Sequence, residues 1–189
     1  FMVVSASTTT GFQTVTNNQM TTVFSSGAFL VVAILMAVGG SSGSTSGGMK
    51  LSRLGLIAKS MVSTIKETLS PGTARVSVRY YHLGKKVLTT EVAKAALTVS
   101  ALFVFTYLAG SLVGIAHGYD ALDAIFESVS MASNGGLSSG IIAHGMPPVL
   151  EGVYILEMWA GRLEFITLIA LIVKVVVSLS ALAKRKLRD

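Results

Sequence analysis

Cysteine is missing from all 189 residues, which excludes a disulfide scaffold, a cysteine-built zinc ribbon and a thiol nucleophile. Charge is scarce too. Asp, Glu, Lys and Arg make up 13% of the chain, about half of the roughly 25% an ordinary soluble domain carries. Proline occurs three times, and the nineteen glycines follow no collagen-like period. What is present is apolar: 51% of the residues are hydrophobic and the mean hydropathy is +0.69. The expected fold is an all-α polytopic membrane protein. The chain opens on Phe1 part-way through an element, so we read it as the C-terminal portion of a longer protein.

The net charge of +6 does not point to nucleic acid, because of where the charges fall. No Asp, Glu, Lys or Arg occurs from Phe1 to Met49, nor from Ala95 to Gly118. Nine basic residues lie between Lys50 and Lys94, against Glu67 and Glu91 alone. From Tyr119 to Met158 there are five acids (Asp120, Asp123, Glu127, Glu151, Glu157) and no Lys or Arg. The tail Lys184-Arg185-Lys186-Leu187-Arg188 is basic again. Lys and Arg mark the cytoplasmic side of membrane proteins, which puts both basic stretches inside and the acidic one at the outer face.

Ala95 to His117 is long and apolar enough to span, since about 20 residues at 1.5 Å each cross a ~30 Å hydrocarbon core. By the charge argument it runs outward. After Pro147-Pro148, Val149 to Ala183 reads as one long helix returning inward, and Thr22 to Val38 as a third apolar helix, also inward-running. Asp120 to Ala132 is helical in pattern, with acids at its start, but too short to span. The polar run Ser133-Asn134-Gly135-Gly136-Leu137-Ser138-Ser139-Gly140 follows it. Entering and leaving on one side, this stretch reads as a re-entrant hairpin, tolerated at membrane depth only inside protein or along a wet cavity.

A shift of 125 lays Phe1–Phe12 over Phe126–Leu137, with Phe, Val, Ser and Gly coinciding at four of twelve positions and Gly11 falling on Gly136. Each copy precedes an inward-running apolar helix. We read two copies of a helix–re-entrant loop–helix unit, the first truncated, a construction common in membrane transport proteins. A dehydrated alkali cation needs several oxygen ligands, which neutral carbonyls supply without holding the ion too tightly. Glycine lets a backbone turn its carbonyls into a narrow path. Thr8-Thr9-Thr10-Gly11-Phe12 and Asn134-Gly135-Gly136-Leu137-Ser138 have that chemistry: small hydroxyl or amide residues, a glycine, then an apolar anchor.

Gly39-Gly40-Ser41-Ser42-Gly43-Ser44-Thr45-Ser46-Gly47-Gly48 breaks the third helix, as five glycines must. It is either a movable intramembrane interruption below the first loop or a flexible cytoplasmic linker. The length favours the former, because Thr22 to Val38 covers only ~25 Å at 1.5 Å per residue. Arg162 has no acid at i±3 or i±4 on its own helix, so it must meet a protein interior, a wet cavity or backbone carbonyls, unless it snorkels to the outer boundary. The Gly/Ser segment is the richest carbonyl source in the chain. Lys174, nearer the basic tail, reads as snorkelling.

Four features together resemble the Trk/Ktr potassium uptake family, related to plant HKT transporters. They are Ser5-Ala6-Ser7-Thr8-Thr9-Thr10-Gly11-Phe12, the Gly39–Lys50 string, the helix leading into Gly136-Leu137-Ser138, and Gly161-Arg162-Leu163-Glu164 before an apolar run. The likeness covers essentially the whole chain. It implies four membrane–pore-loop–membrane repeats around one ion path, of which this chain holds the end of repeat three and all of repeat four. Residues 1–18 would be the third filter loop and outer connection, and 19–58 the inward helix interrupted by a gate loop at 39–48. A basic cytoplasmic linker (59–94), a transmembrane helix (95–118), the pore helix with fourth filter loop and outer loop (119–148), and a long helix with basic tail (149–189) would follow. Thr8 to Phe12 and Ser133 to Leu137 would form the filter, with K⁺ held by carbonyls of Thr9, Thr10, Gly11, Asn134, Gly135 and Gly136, and Arg162 would contact the gate loop. The resemblance further implies a homodimer in a prokaryotic plasma (inner) membrane, lipid contact, no cofactor beyond the transported K⁺, and no enzymatic activity. A cytosolic nucleotide-binding ring would dock on the basic inner face around Lys50 to Lys94. Two departures stand out: Ser133-Asn134-Gly135 replaces a Thr-Val type of sequence before Gly136, and Ser42 stands where Pro is common.

Two rivals come from other classes. Gly39-Gly40-Ser41-Ser42-Gly43 and Gly136-Leu137-Ser138-Ser139-Gly140 both satisfy G-x-S-x-G, the mark of a serine hydrolase when it follows a strand with a His in reach. His82, His117 and His144 are all poorly placed for that, on the inner segment, a helix end and an outer loop. A structural membrane subunit without transport is the other.

Overall fold

The computed structural model describes residues 1–16, 19, 24–70, 77–81, 84–163 and 165–186. Seven helices and a small hairpin follow one another among these residues: α1 (Met2–Ser7), α2 (Ser26–Val38), α3 (Leu51–Leu69), β1 (Arg79–Tyr81), β2 (Lys85–Val87), α4 (Thr90–Ala116), α5 (Ala121–Ala132), α6 (Pro148–Arg162) and α7 (Phe165–Lys186). Among the described residues, three helices open on side-chain caps, which satisfy amide groups left free in a first turn. Ser25 Oγ accepts from Ala28 N–H at 3.3 Å, Thr89 Oγ1 from Val92 N–H at 3.5 Å and Asp120 Oδ2 from Leu122 N–H at 3.0 Å.

The short helix α5 is the centre of the fold. It packs on α2, α4 and α6, and every residue from Phe126 to Ala132 is buried. Phe126 stacks on Phe29 of α2 with ring centroids 4.2 Å apart, and Phe103 of α4 meets Phe165 of α7 edge-on at 4.8 Å. By contrast α4, at 27 residues or about 40 Å at 1.5 Å each, is long and apolar enough to cross a bilayer. Its outer stripe of Leu97, Val104, Phe105, Leu108 and Leu112 is exposed, as are Ile169 and Val173 to Val177 (Lys174 among them) on α7. Water penalises apolar patches of that size; hydrocarbon does not.

Several boundaries differ from the sequence reading. The stretch 59–94 is not a plain linker, and the chain is not purely α. Helix α3 continues to Leu69, an antiparallel hairpin pairs Arg79 with Val87 and Tyr81 with Lys85, and α4 starts at Thr90 rather than Ala95 because Thr89 caps it. The expected single helix from Val149 to Ala183 is two helices parted at Leu163. No proline marks that break; only Gly161, a poor helix former, precedes it. Thr22, His82, Glu164 and the tail beyond Lys186 lie outside the described residues.

Candidate functional site

The loops after α1 and α5 adopt one backbone course, 125 residues apart. Thr8 (φ −89°, ψ −4°) and Ser133 (φ −83°, ψ −5°) end the two helices. Thr9 and Asn134 then turn left-handed (φ +51° and +54°), and so do Gly11 and Gly136 (φ +84° and +76°). A non-glycine residue at positive φ is uncommon, so two at matched places mark a shared design rather than local accident. The hydrogen bonds repeat as well. Thr10 N–H donates to the Ser5 carbonyl at 3.0 Å and Gly135 N–H to that of Ser130 at 2.7 Å. Ser5 Oγ donates to the Phe12 carbonyl at 2.6 Å, and Ser130 Oγ to that of Leu137 at 2.5 Å. Each helix thus holds both ends of its loop. Among the described residues no hydrogen-bond donor takes the carbonyls of Thr9, Thr10, Gly11, Asn134, Gly135 or Gly136. Of the six residues only Gly135 is buried, while Thr10 and Gly136 are exposed, so these carbonyls form two oxygen-rich edges open to a ligand or to water.

The two loops touch each other at their glycines. A Cβ placed on Gly11 would lie 3.0 Å from the Gly135 carbonyl oxygen, and one on Gly136 3.0 Å from Gly11 Cα. Beyond the glycines, Ser138 N–H donates to Gln13 Oε1 at 3.3 Å, another pair 125 apart.

The Gly39–Gly48 segment folds back on itself, unlike an extended linker. Its ends are stitched together where Met49 N–H meets the Ala37 carbonyl and Leu51 N–H that of Gly40, both at 3.0 Å. Gly40 N–H donates to Ser46 Oγ at 2.9 Å, and Tyr107 of α4 gives its hydroxyl proton to the Ala37 carbonyl at 3.3 Å. Its far end reaches the first two loops. Gly47 N–H donates to Thr9 Oγ1 at 3.2 Å, and Gly47 packs so closely that a Cβ there would collide with the Ser133 carbonyl. Arg162 Nη1, at the end of α6, donates to the Thr45 carbonyl at 2.5 Å. A cavity of about 160 Å³ beneath the segment is lined by Ser44 to Gly48, Lys50, Phe103, Gly161 and Arg162.

Other expectations are corrected. Phe12 is no anchor within this chain: it is 69% exposed, whereas Leu137 is fully buried. The acids of the Tyr119–Met158 stretch do not all lie at an outer surface, because Glu127 is 0% and Glu157 4% exposed. Glu157 Oε1 accepts from Ser128 Oγ at 3.0 Å, and Gly110 of α4 leaves room for its carboxyl group. Charge counting grouped these two with Asp120 and Asp123. The available signal was the apolar and small residues around Glu127, which put it on a core face of α5. The hydrolase motif finds no support. Ser138 Oγ donates to Glu127 rather than to an imidazole, neither serine follows a strand, and His117 is exposed with Nδ1 on the Val113 carbonyl at 2.8 Å.

The family model described as "TrkH: Cation transport protein" matches residues 1–180. The chain belongs to the TrkH family of cation transport proteins, which are not enzymes. It is 36% identical over 171 residues to an uncharacterised cation transporter of Methanocaldococcus jannaschii, covering 90% of this chain and 35% of that protein. It is 31% identical over 176 residues to the Trk system potassium uptake protein TrkH of Escherichia coli, covering 90% and 34%. The crystal structure of the potassium transporter TrkH from Vibrio parahaemolyticus superposes with a TM-score of 0.71 at 25% identity, over 89% of this chain and 35% of that one. The TrkH-like chain therefore spans about a third of the length of these relatives.

Proposed function

We propose that this TrkH-family chain supplies two of four filter loops of a K⁺ uptake protein, its helices crossing a prokaryotic plasma membrane. Thr8 to Phe12 would be the third filter loop and Ser133 to Leu137 the fourth, α5 being the fourth pore helix. K⁺ would exchange its water for the carbonyls of Thr9, Thr10, Gly11, Asn134, Gly135 and Gly136. One observation carries this reading. Two loops 125 residues apart share left-handed turns at Thr9/Asn134 and Gly11/Gly136, keep those carbonyls free of donors among the described residues, and meet at the glycines.

The Gly39–Gly48 segment would be the gate. Its contacts with Thr9 and Ser133 support a plug directly below the filter, and its bond to Arg162 supports a latch from α6. The basic stretch from Lys50 to Lys94 and the C-terminal tail would face the cytoplasm, where a nucleotide-binding ring would dock on a homodimer.

The test uses the full-length protein in a host lacking its own K⁺ uptake. Gly136→Asp is expected to abolish uptake or K⁺/Na⁺ preference; unchanged uptake and preference would overturn the filter assignment. Arg162→Ala is expected to alter flux without loss of folded protein. If flux and its regulation stay the same, Arg162 is no latch.

A further inference from the structure

Glu127 stands out as a buried acid that the proposed ion path does not use. It lies on α5, one turn before Ser130, so the two side chains share a face of the helix. Its Oε1 accepts from Ser138 Oγ at 2.5 Å, Ser139 N–H at 3.0 Å, Gly140 N–H at 3.3 Å and Ser139 Oγ at 3.4 Å. Gathering two amides and two hydroxyls on one oxygen ties three consecutive residues to one point. Ser130 Oγ meanwhile holds the Leu137 carbonyl. Residues 137–140 are therefore fastened to α5 twice, immediately after the carbonyls of Asn134 to Gly136. In the first copy the residue 125 positions earlier is Met2, whose thioether is at best a weak acceptor.

We propose that Glu127 is a positioning residue that clamps the exit of the second loop, fixing the spacing of the Asn134–Gly136 carbonyls at the value that prefers K⁺ over Na⁺. The inference rests on the filter reading above. Where selectivity comes from the fit of the coordinating oxygens around the ion, a loop free to close inward would follow the smaller one.

The test is uptake of K⁺ and Na⁺ by the full-length protein in the K⁺-uptake-deficient host, with folded, membrane-inserted protein measured in parallel. Glu127→Ala removes the acceptor and is expected to lower the K⁺/Na⁺ preference about tenfold while flux persists. Glu127→Gln keeps an acceptor oxygen and is expected to stay within about threefold of wild type. Ser138→Ala removes one donor, with an expected loss of about threefold and no further loss on top of Glu127→Ala. Should Glu127→Ala fail to insert, Ser138→Ala decides: a lowered preference supports the clamp and a wild-type preference overturns it. If Gly136→Asp leaves uptake and preference intact, the filter reading and the clamp fall together. If Gly136→Asp abolishes them while Glu127→Ala and Ser138→Ala keep the wild-type preference, only the clamp falls.

Discussion

The two loops share a backbone but not a foundation. The second follows a 12-residue helix with eight buried residues, wrapped by α2, α4 and α6. Leu137 is 0% exposed, and Ser133 and Ser139 are buried with it. The first follows a six-residue helix packed on α2, and its Phe12 is 69% exposed. Identical turns can therefore be held by different means. In both loops a helix serine reaches over to the last loop carbonyl, so the course of the chain is set locally. Its firmness depends on what surrounds it.

The sharpest way to break this contrast is to remove the two apolar side chains in the full-length protein and compare thermal unfolding. Leu137→Ala empties a closed site and should cost about 2–5 kcal/mol, while Phe12→Ala should stay within about 0.5 kcal/mol, as at other surface sites. Equal costs would mean that parts of the protein outside this chain bury Phe12 and that the loops are matched in packing too.

A smaller effect tests the shared backbone. Gly11→Ala and Gly136→Ala each put a side chain at positive φ and within 3.0 Å of the opposite loop, a left-handed strain of about 1–2 kcal/mol apiece. Similar losses of stability and K⁺ uptake are expected from both. A harmless Gly11→Ala beside a damaging Gly136→Ala would end the equivalence of the loops.

A third contrast lies in the helix serines. Ser130→Ala strands a buried carbonyl and should cost about 1–3 kcal/mol. Ser5→Ala leaves the Phe12 carbonyl near solvent, where water replaces the lost bond, and should cost under about 1 kcal/mol. Denaturation of the two variants side by side measures the difference, and an inverted order would mean that the first loop is the more deeply enclosed.

Much of this was written locally. The apolar run ending at Ala116 and the capped helix from Asp120 to Ala132 were legible from composition and end signals. So were both glycine loops and the Gly/Ser interruption after Val38, because helix caps, glycine at positive φ and apolar runs act over a few residues. The break at Leu163 was not, since Arg162 is held by Thr45 from 117 positions away and no breaker residue announces it. The hairpin at 79–87 was hidden by its length: three residues a side are too few to show alternation. Glu127 and Glu157 looked like surface charge until their neighbours were known.

A residue's type constrains its own dihedral angles and its transfer from water, and this much made the chain a bundle of apolar helices carrying two glycine-turned loops. Which carboxyl group is buried, which phenylalanine stays bare and which carbonyl the arginine meets depend on partners tens of residues distant. Those contacts exist only once α2, α4 and α6 have closed around α5, because burial and hydrogen-bond geometry belong to pairs of groups rather than to either one.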